Sequence, residues 1–387
     1  MKVALVENFG SDFVGARLRF ALFLKEKGIH VTAVIPQDGH KEVIEKSGIN
    51  VIEVASNIRG KGLLNKFAYA KSLKRIVKRE KFDIVHLYRL QPNLIGTPIT
   101  FFYSESKIVN HVTGLGLVFA SDSFKNKVLK FAVKGFYKLN SWLFRPHIIF
   151  QNEQDIDDLG IKKRVYCIKG SAVNEDRFQP KEITTSDRNH SLKEKFGVTL
   201  NSDDKVLIFV SRLLKQKGVI ELVEAIKSAN SNSQIRFVAF IVGWSDENNP
   251  ASVKLKDLKA RIHGHESDIL FLGKRSDVDE LIALSDLSIL PTYYREGTPR
   301  FLLESMSMGK PIITTNMPGC DHLVSLKDPN GLLIEPKNIN SIEKALGKVK
   351  EMDLEKMGEN SAMLYRQKFS ENIVYSSILE LYEKIRK

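Results

Sequence analysis

The sequence predicts an α/β protein made of two doubly wound domains, each built on a parallel sheet. Short β-branched segments alternate with longer helical patterns all along the chain, as they do in βαβ units. A length of 387 residues suits two domains with full cores. The strand pattern also restarts at residue 205, after a polar stretch at 178–200 that is predicted to be the linker.

The first domain, residues 1–180, is predicted from seven strand-like segments and the helical patterns between them. The strands are expected at residues 2–8, 30–36, 51–55, 83–88, 107–113, 147–152 and 165–170. Apolar residues at helical spacing cover residues 14–27, 62–80 and 124–143.

The second domain, residues 181–370, repeats this alternation. Its strands are expected at residues 205–211, 237–243, 269–273, 287–292, 311–316 and 331–336. An amphipathic helix is predicted at 371–386, after the last strand. Two wound domains imply a cleft between the carboxyl ends of their sheets, where ligands of this class bind.

Two carboxylates, Glu296 and Glu304, flank a predicted helix start in the second domain. The residues that follow the first carboxylate are Gly297, Thr298 and Pro299. Proline suits the first helical turn, and a helix start offers backbone N–H groups to a negatively charged or hydroxyl-rich ligand. Carboxylates accept paired hydrogen bonds from vicinal diols, so the two would suit a sugar and a ribose. The alternative is a helix N-terminus whose acidic residues interact favourably with the helix dipole.

Two cations stand at a strand-to-helix junction of the same domain. Arg212 follows one predicted strand, and Lys217 with Gly218 opens the next helical pattern. Such a pair would clamp a diphosphate and offset the charge of a departing nucleotide, although two solvated loop cations are the alternative. Since both motifs lie at strand-to-helix junctions of one α/β domain, they are expected to converge at one edge of its sheet.

With both motifs present, the chain resembles the retaining glycosyltransferases of family 4, which have the GT-B fold of two Rossmann-like domains facing across a cleft. The likeness rests on RLxxxKG at 212–218, on the seven residues between Glu296 and Glu304, and on the segments GKPIITT and SAVNEDRF. It extends to the closing helix at 371–387, which would cross back to the first domain.

This resemblance implies sugar transfer from a nucleotide-diphosphate sugar without a metal ion. Arg212, Lys217 and Glu296 would be catalytic: the cations would hold the diphosphate, and the carboxylate would contact hydroxyl groups of the donor sugar. Glu304 would bind ribose, and front-face attack would be assisted by the leaving phosphate oxygen. The donor-binding residues are expected to be Gly10, Arg212, Lys217, Gly273, Arg275, Gly297, Thr298, Pro299 and Glu304.

The first domain carries a narrower likeness, to bacterial enzymes that extend undecaprenyl-diphosphate-linked glycans, such as the N-acetylgalactosaminyltransferases of N-glycan assembly. It rests on the segments 34–38, 112–116, 136–140 and 149–156. Two loops depart from the family pattern: NFGSDF at 8–13 lacks the usual Gly-rich turn before His or Tyr, and Thr113 stands where some relatives carry glutamate. Both loops would line the acceptor side, so the acceptor stays open. Acceptor-side residues are expected to be Arg17, His111, Thr113 and Gly114.

The net charge of +13 is concentrated in the first domain. Residues 54–147 hold 17 basic and four acidic residues, and nine of the basic ones lie within 59–81. The segment 125–144 interleaves lysine with apolar positions near helical spacing, which predicts an interfacial helix on an anionic membrane surface. The membrane contacts are expected at Lys127, Lys130, Phe131, Lys134 and Trp142. The alternative is a core-packed helix with a solvated lysine face.

Other uses of these residues are less favoured. No helix-turn-helix, zinc-ligand or RNP-like pattern accompanies the lysines, so no nucleic acid is expected. His263 and His265 lack an acidic or cysteine partner at ligand spacing, so no metal is expected. The two cysteines favour a reducing compartment, and neither a secretory h-region nor an apolar run of 18 residues is present.

Together these observations predict a retaining, metal-independent glycosyltransferase at the cytoplasmic face of the membrane. Its donor would be a UDP-sugar carrying a hexose or N-acetylhexosamine, and its acceptor a saccharide on undecaprenyl diphosphate. Three alternatives stay open: a UDP-sugar epimerase of the same architecture, a transferase with a soluble acceptor, and a non-catalytic nucleotide-sugar-binding protein.

Overall fold

The computed structural model describes residues 1–55, 63–119, 124–232, 235–246 and 249–386. The chain divides into two compact units, Met1–Ala172 with Glu371–Lys387 and Val173–Ser370. All neighbouring strands in both sheets are parallel, which confirms the predicted α/β class. In the described residues, no helix is long and apolar enough to cross a membrane.

The first unit has a seven-stranded sheet in the order β3-β2-β1-β4-β5-β6-β7. Its strands are β1 (Lys2–Val6), β2 (His30–Pro36), β3 (Asn50–Val54), β4 (Ile84–Tyr88), β5 (Lys107–Val112), β6 (His147–Phe150) and β7 (Val165–Cys167). Its first helices are α1 (Gly10–Ala16), α2 (Leu18–Glu26), α3 (Lys41–Lys46), α4 (Leu63–Glu80), α5 (Leu90–Tyr103), α6 (Phe124–Leu143) and α7 (Glu153–Leu159). Alternate residues of β1 enter two separate core clusters, as a strand covered by helices on both faces requires.

The second unit has a six-stranded sheet in the order β10-β9-β8-β11-β12-β13. Its strands are β8 (Lys205–Val210), β9 (Phe237–Val242), β10 (Ile269–Gly273), β11 (Leu287–Leu290), β12 (Ile312–Thr315) and β13 (Gly331–Ile334). Its helices are α8 (Thr185–Phe196), α9 (Val219–Asn232), α10 (Leu255–Arg261), α11 (Val278–Leu284), α12 (Arg300–Ser307), α13 (Ile339–Lys348) and α14 (Leu354–Lys368). The strand order reverses between β8 and β11, so the loops that follow these two strands lie side by side at the switch point.

The predicted linker at 178–200 is wrong in its larger part, because α8 occupies it. The Thr184 hydroxyl accepts from the Asp187 N–H at 3.1 Å and begins the helix. Leu192 is fully buried in the core of the second unit. The unit already begins at Val173, eight residues before the predicted start at 181, because Phe178 packs in the same core and its carbonyl accepts from the Ser307 hydroxyl at 2.6 Å.

The last helix, α15 (Glu371–Arg386), belongs to the first unit. The Arg19 guanidinium donates to both carboxylate oxygens of Glu371 at 2.6 Å. Behind this pair, Tyr375 packs on Phe20 with ring centroids 5.2 Å apart. A paired guanidinium and an aromatic core therefore hold this helix to α2.

Candidate active site

The loop after β8 carries Arg212 and Lys217 and is held by a glycine. A 3-10 turn at Lys215–Lys217 ends at Gly218, whose φ is +75°. A Cβ at this position would collide with the carbonyl oxygen of Pro291, the first residue after β11. Only glycine therefore lets the β8 loop rest directly on the β11 loop.

This close approach brings Lys217 into contact with Glu296. The Lys217 ammonium donates to Glu296 Oε1, and both side chains are mostly buried, with exposed fractions of 16% and 14%. The carbonyl oxygen of Gln216 accepts from the Thr292 hydroxyl at 3.1 Å and from the Tyr293 N–H at 2.8 Å. These hydrogen bonds tie the two loops together and fix the ion pair at the carboxyl edge of the sheet.

A third loop supports the backbone around Glu296. Gly319, with a φ of +88°, lies so close that a Cβ there would collide with the carbonyl oxygens of Glu296 and Gly297. Sequence reasoning missed this glycine, although the sequence MPG is a turn signal.

The segment Gly297–Pro299 leads directly into α12. Pro299 is the N-cap and makes no side-chain capping bond, so the first N–H groups of the helix are left for other partners. The Thr298 hydroxyl is buried and has no hydrogen-bond partner within the described part of the chain. A buried hydroxyl without a partner is costly, so this position suits a ligand with hydrogen-bonding groups.

Glu304 lies on α12, one to two turns after this start. Burial raises the pKa of its carboxyl group, while the neighbouring Arg300 guanidinium acts in the opposite direction. Arg300 Nε donates to Glu304 Oε1 at 3.1 Å. A ligand that bound Glu304 would therefore share this carboxylate with Arg300.

The remaining residues predicted for the donor side lie after β8 and at the end of β10. Arg212 Nη1 is 3.7 Å from Asp246 Oδ2, and the Gly273 carbonyl accepts from the Gly243 N–H at 2.8 Å. Arg275 forms an ion pair with Asp277, whose hydrogen bond raises the pKa of the arginine. Sequence reasoning missed Trp244, an exposed ring that follows β9 and lies under the Lys274 ammonium at 5.3 Å.

Gly10 and Arg17 are both engaged within the first unit. The Gly10 N–H donates to Asp38 Oδ2 at 2.6 Å, and a Cβ on Gly10 would collide with the Asp38 carboxylate. This N–H is therefore occupied by a carboxylate rather than left for a phosphate. Arg17 is buried: its Nε is 3.3 Å from Glu7 Oε2, and its guanidinium lies 4.1 Å from the centre of the Tyr88 ring.

The other acceptor-side residues follow β5 or end it. His111 is buried at the end of the strand, and Thr113 and Gly114 are half-buried in the next loop, where Gly114 has a φ of +108°. His111 Nδ1 lies 3.3 Å from His86 Nε2 on the neighbouring strand. Burial lowers the pKa of both imidazoles well below the ordinary value, so both rings are neutral near pH 7.

The predicted membrane helix is α6, and its apolar side is only partly packed, since Phe136 lies against the core cluster that contains Tyr137. Phe131 is 80% exposed and Trp142 is 73% exposed, whereas Tyr137 is fully buried on another side of the helix. Lys127 is exposed, and Lys130 and Lys134 are half-buried. The exposures of Phe131 and Trp142 disagree with the alternative of a core-packed helix for this part of the apolar side.

Sequence reasoning missed further exposed aromatic residues beside this helix. Phe101 and Phe102, near the end of α5, contact Phe144 with ring centroids 5.3 and 5.7 Å away. The Lys74 ammonium of α4 lies 3.8 Å from the centre of the Tyr103 ring. Of the basic run at 59–81, residues 59–62 lie outside the described residues.

No group of three or more His, Cys, Asp or Glu side chains that could hold a metal ion occurs in the described residues. His263 lies 3.4 Å from Glu266 and His265 lies 3.7 Å from Asp268, so each histidine is beside one carboxylate.

Family models match both parts of the chain. The model for glycosyl transferases group 1 matches residues 191–364, and the model for glycosyl transferase 4-like proteins matches residues 2–152. The chain is 27% identical over 400 aligned residues to the N,N'-diacetylbacillosaminyl-diphospho-undecaprenol alpha-1,3-N-acetylgalactosaminyltransferase of Campylobacter jejuni, with 100% of both chains covered. It is 29% identical to the UDP-Gal:alpha-D-GlcNAc-diphosphoundecaprenol alpha-1,3-galactosyltransferase of Escherichia coli, over 72% of this chain and 69% of that protein.

Solved structures with lower identity share the whole architecture. A glycosyltransferase from Rickettsia africae is 22% identical, with a TM-score of 0.79 over 100% of this chain and 98% of that one. HepE of Anabaena in complex with UDP is 19% identical, with a TM-score of 0.77 over 99% of this chain and 100% of that one. These likenesses confirm the predicted GT-B fold with its two Rossmann-like domains.

Proposed function

Since its two parts match the models for glycosyl transferases group 1 and glycosyl transferase 4-like proteins, the chain belongs to the glycosyltransferases. We propose that it moves a hexose or an N-acetylhexosamine from a UDP-sugar to a saccharide carried on undecaprenyl diphosphate, with retention of configuration and without a metal ion. The observation that carries this proposal is the contact between Lys217 and Glu296 beside the start of α12. Both relatives named above act, by their names, on sugars linked to undecaprenyl diphosphate.

On the donor side, Lys217 and Arg212 bind the diphosphate. A bound diphosphate competes with Glu296 for the Lys217 ammonium, which releases this carboxylate to accept hydrogen bonds from hydroxyl groups of the sugar. The cations then stabilise the charge that develops on UDP as its bond to the sugar breaks. The acceptor hydroxyl attacks from the same face, and its proton passes to the leaving phosphate oxygen, so no protein nucleophile takes part.

The Thr298 hydroxyl and the first N–H groups of α12 orient the donor. A hydroxyl or amide oxygen of the sugar would satisfy the buried Thr298 hydroxyl, which has no partner among the described residues. Positioning of the sugar against a fixed acceptor is itself a large part of catalysis in such reactions. Glu304 binds the ribose, beside Arg300.

A screen of UDP release tests this function directly. The protein is incubated with UDP-GalNAc, UDP-GlcNAc, UDP-Gal or UDP-Glc, each with and without polyprenyl-diphosphate-linked saccharides, in EDTA. We expect UDP release from one donor that depends on the lipid-linked acceptor, and an α-linked product by NMR. A donor epimerised without acceptor would favour the epimerase, and donor binding without UDP release in any mixture would favour the non-catalytic protein.

The acceptor lies in a membrane, and we propose that α6 holds the first unit on the inner face of the cytoplasmic membrane. Phe131 and Trp142 are exposed on the apolar side of the helix, and exposed Lys127 adds positive charge. Exposed Phe101 and Phe102 lie beside the end of the same helix. Apolar rings and lysines together fit an interface that carries anionic lipid.

Replacing Phe131 and Trp142 together with serine is expected to lower binding to phosphatidylglycerol-containing vesicles about 30-fold or more, because two aromatic side chains no longer insert. Sedimentation with vesicles measures the bound fraction. Leu326→Ser is the control, since this side chain is 90% exposed but lies in the second unit. Wild-type protein that stays in the supernatant would favour a soluble acceptor, and a double variant that sediments equally well would contradict the proposed role of α6.

A further inference from the structure

Three buried polar side chains form a chain from the last helix to the carboxyl edge of the first sheet. The Tyr382 hydroxyl of α15 lies 2.5 Å from His86 Nδ1 on β4. His86 Nε2 lies 3.3 Å from His111 Nδ1 on β5. At the far end, His111 Nε2 is buried and has no hydrogen-bond partner in the part of the chain that the structure describes. A buried nitrogen without a partner indicates a place for a ligand atom.

The positions of the protons follow from Tyr382. Burial raises the pKa of Tyr382 well above its ordinary value, so the hydroxyl keeps its proton. Within the described residues its hydrogen-bond partner is His86 Nδ1. A hydroxyl that accepted from this nitrogen would leave its own buried O–H without an acceptor, so the hydroxyl donates and His86 Nδ1 accepts. The pKa of His86 is lowered by burial, so this ring is neutral and carries its one proton on Nε2.

The same reasoning carries the proton pattern to His111. His86 Nε2 donates to His111 Nδ1, so Nδ1 of His111 has no proton. Burial, and then the Arg17 cation, lower the pKa of His111, so this ring is neutral as well. Its single proton is therefore on Nε2, the atom without a partner.

Packing keeps the three rings in this arrangement. The ring of Tyr88 stacks on His86 at 4.1 Å and on His111 at 5.2 Å between centroids. The Arg17 guanidinium lies 4.1 Å from the centre of the Tyr88 ring and pairs with Glu7. These contacts hold the planes of both imidazoles, and the hydrogen bonds of their nitrogens set the tautomers.

We propose that Tyr382 acts through His86 as a positioning residue that keeps the proton of His111 on Nε2. His111 then presents an N–H donor to an oxygen atom of the substrate bound at this edge of the first unit, a hydroxyl, carbonyl or phosphate oxygen. It follows that His111 does not serve as a general base, because Nε2, the nitrogen without a partner among the described residues, already carries the proton. The tautomer of His111 can be tested whatever reaction the protein performs, whereas the expected effect of Tyr382 on sugar transfer rests on the proposed function.

The tautomers are measured by NMR of protein labelled with ¹⁵N-histidine. Two-bond ¹H–¹⁵N spectra should show both His86 and His111 protonated at Nε2 and unprotonated at Nδ1, with His111→Gln and His86→Gln spectra giving the assignment. In Tyr382→Phe, His86 Nδ1 loses its donor, and both rings should populate the other tautomer. A wild-type His111 protonated at Nδ1, or tautomers unchanged in Tyr382→Phe, would overturn the proposal.

The kinetic readout uses the donor and acceptor found in the UDP-release screen. Tyr382→Phe is expected to lower kcat/KM about 3- to 10-fold, mainly by raising KM, because one oriented hydrogen bond to substrate is weakened. Tyr375→Phe is the matched control: it removes a buried hydroxyl from the same helix, but one that donates to Glu371 Oε1 at 3.1 Å. Equal losses in the two variants would mean that Tyr382 acts only through helix packing. If no donor supports transfer, the proposed function fails while the NMR result still decides the tautomer.

Discussion

Replacing Lys217 with alanine is expected to lower kcat/KM for sugar transfer by about 10³-fold, while the fold persists. In the proposed mechanism the variant loses a cation that stabilises the leaving diphosphate, and such interactions are worth about 10²–10³ in rate. It also leaves the mostly buried Glu296 carboxylate without its ammonium partner, so negative charge faces the diphosphate. Glu296→Gln should show a loss of similar size, because the amide accepts fewer hydrogen bonds from the sugar.

Stability measurements separate this catalytic role from a structural one. Each single variant is expected to lower the free energy of unfolding by about 1–3 kcal/mol, since breaking a mostly buried pair strands one charge. Lys217→Met with Glu296→Gln removes both charges and should regain stability but not activity. Lys227→Ala is the control, because Lys227 pairs with Glu224 at 3.1 Å on α9, outside the site. Near-normal turnover in both Lys217→Ala and Glu296→Gln would contradict the assignment of the site.

Strands were the most predictable part of the fold, and their ends the least. The 13 strands that the structure describes were all expected, because each is a short β-branched run between turn signals. The strand expected at 165–170 covers only Val165–Cys167, since β7 lies at the edge of its sheet and has one neighbour to pair with. The helix Thr185–Phe196 was missed because Leu192 is its one fully buried side chain, so it lacks an apolar stripe.

The two motifs predicted for the donor side could be located from the sequence because they follow strands that become neighbours. The contact between Lys217 and Glu296 depends on β8 lying beside β11, which the doubly wound order provides. Contacts between residues far apart in the sequence depend on tertiary packing, which the spacing of residues within a motif does not predict. The hydrogen bond between Tyr382 and His86 joins residues that are 296 positions apart in the sequence. The two meet because α15 returns to the first unit.

Gly218→Ala is expected to damage both stability and transfer, because this glycine sets the distance between the loops that carry Lys217 and Glu296. Its φ of +75° alone costs an alanine about 1–2 kcal/mol, and the new Cβ would collide with the carbonyl oxygen of Pro291. The β8 loop must therefore move, and Lys217, the preceding residue, moves with it. We expect the free energy of unfolding to fall by about 2–4 kcal/mol and kcat/KM by about 10²-fold, since small misplacements of a catalytic group have effects of this size.

Gly264→Ala separates the collision from the backbone cost. Gly264 has a similar φ of +82°, but a Cβ there would meet no atom within 4 Å, so this variant carries the conformational cost alone. Thermal unfolding of both variants gives the stability difference, and UDP release gives the rates. If the two lose equal stability and Gly218→Ala keeps its turnover, the contact with Pro291 does not position Lys217. The other outcome is that Gly218→Ala loses more stability than Gly264→Ala and is the variant whose turnover falls. The close approach of the two loops, which the missing Cβ of Gly218 permits, then brings the Lys217 ammonium and the Glu296 carboxylate together for the reaction.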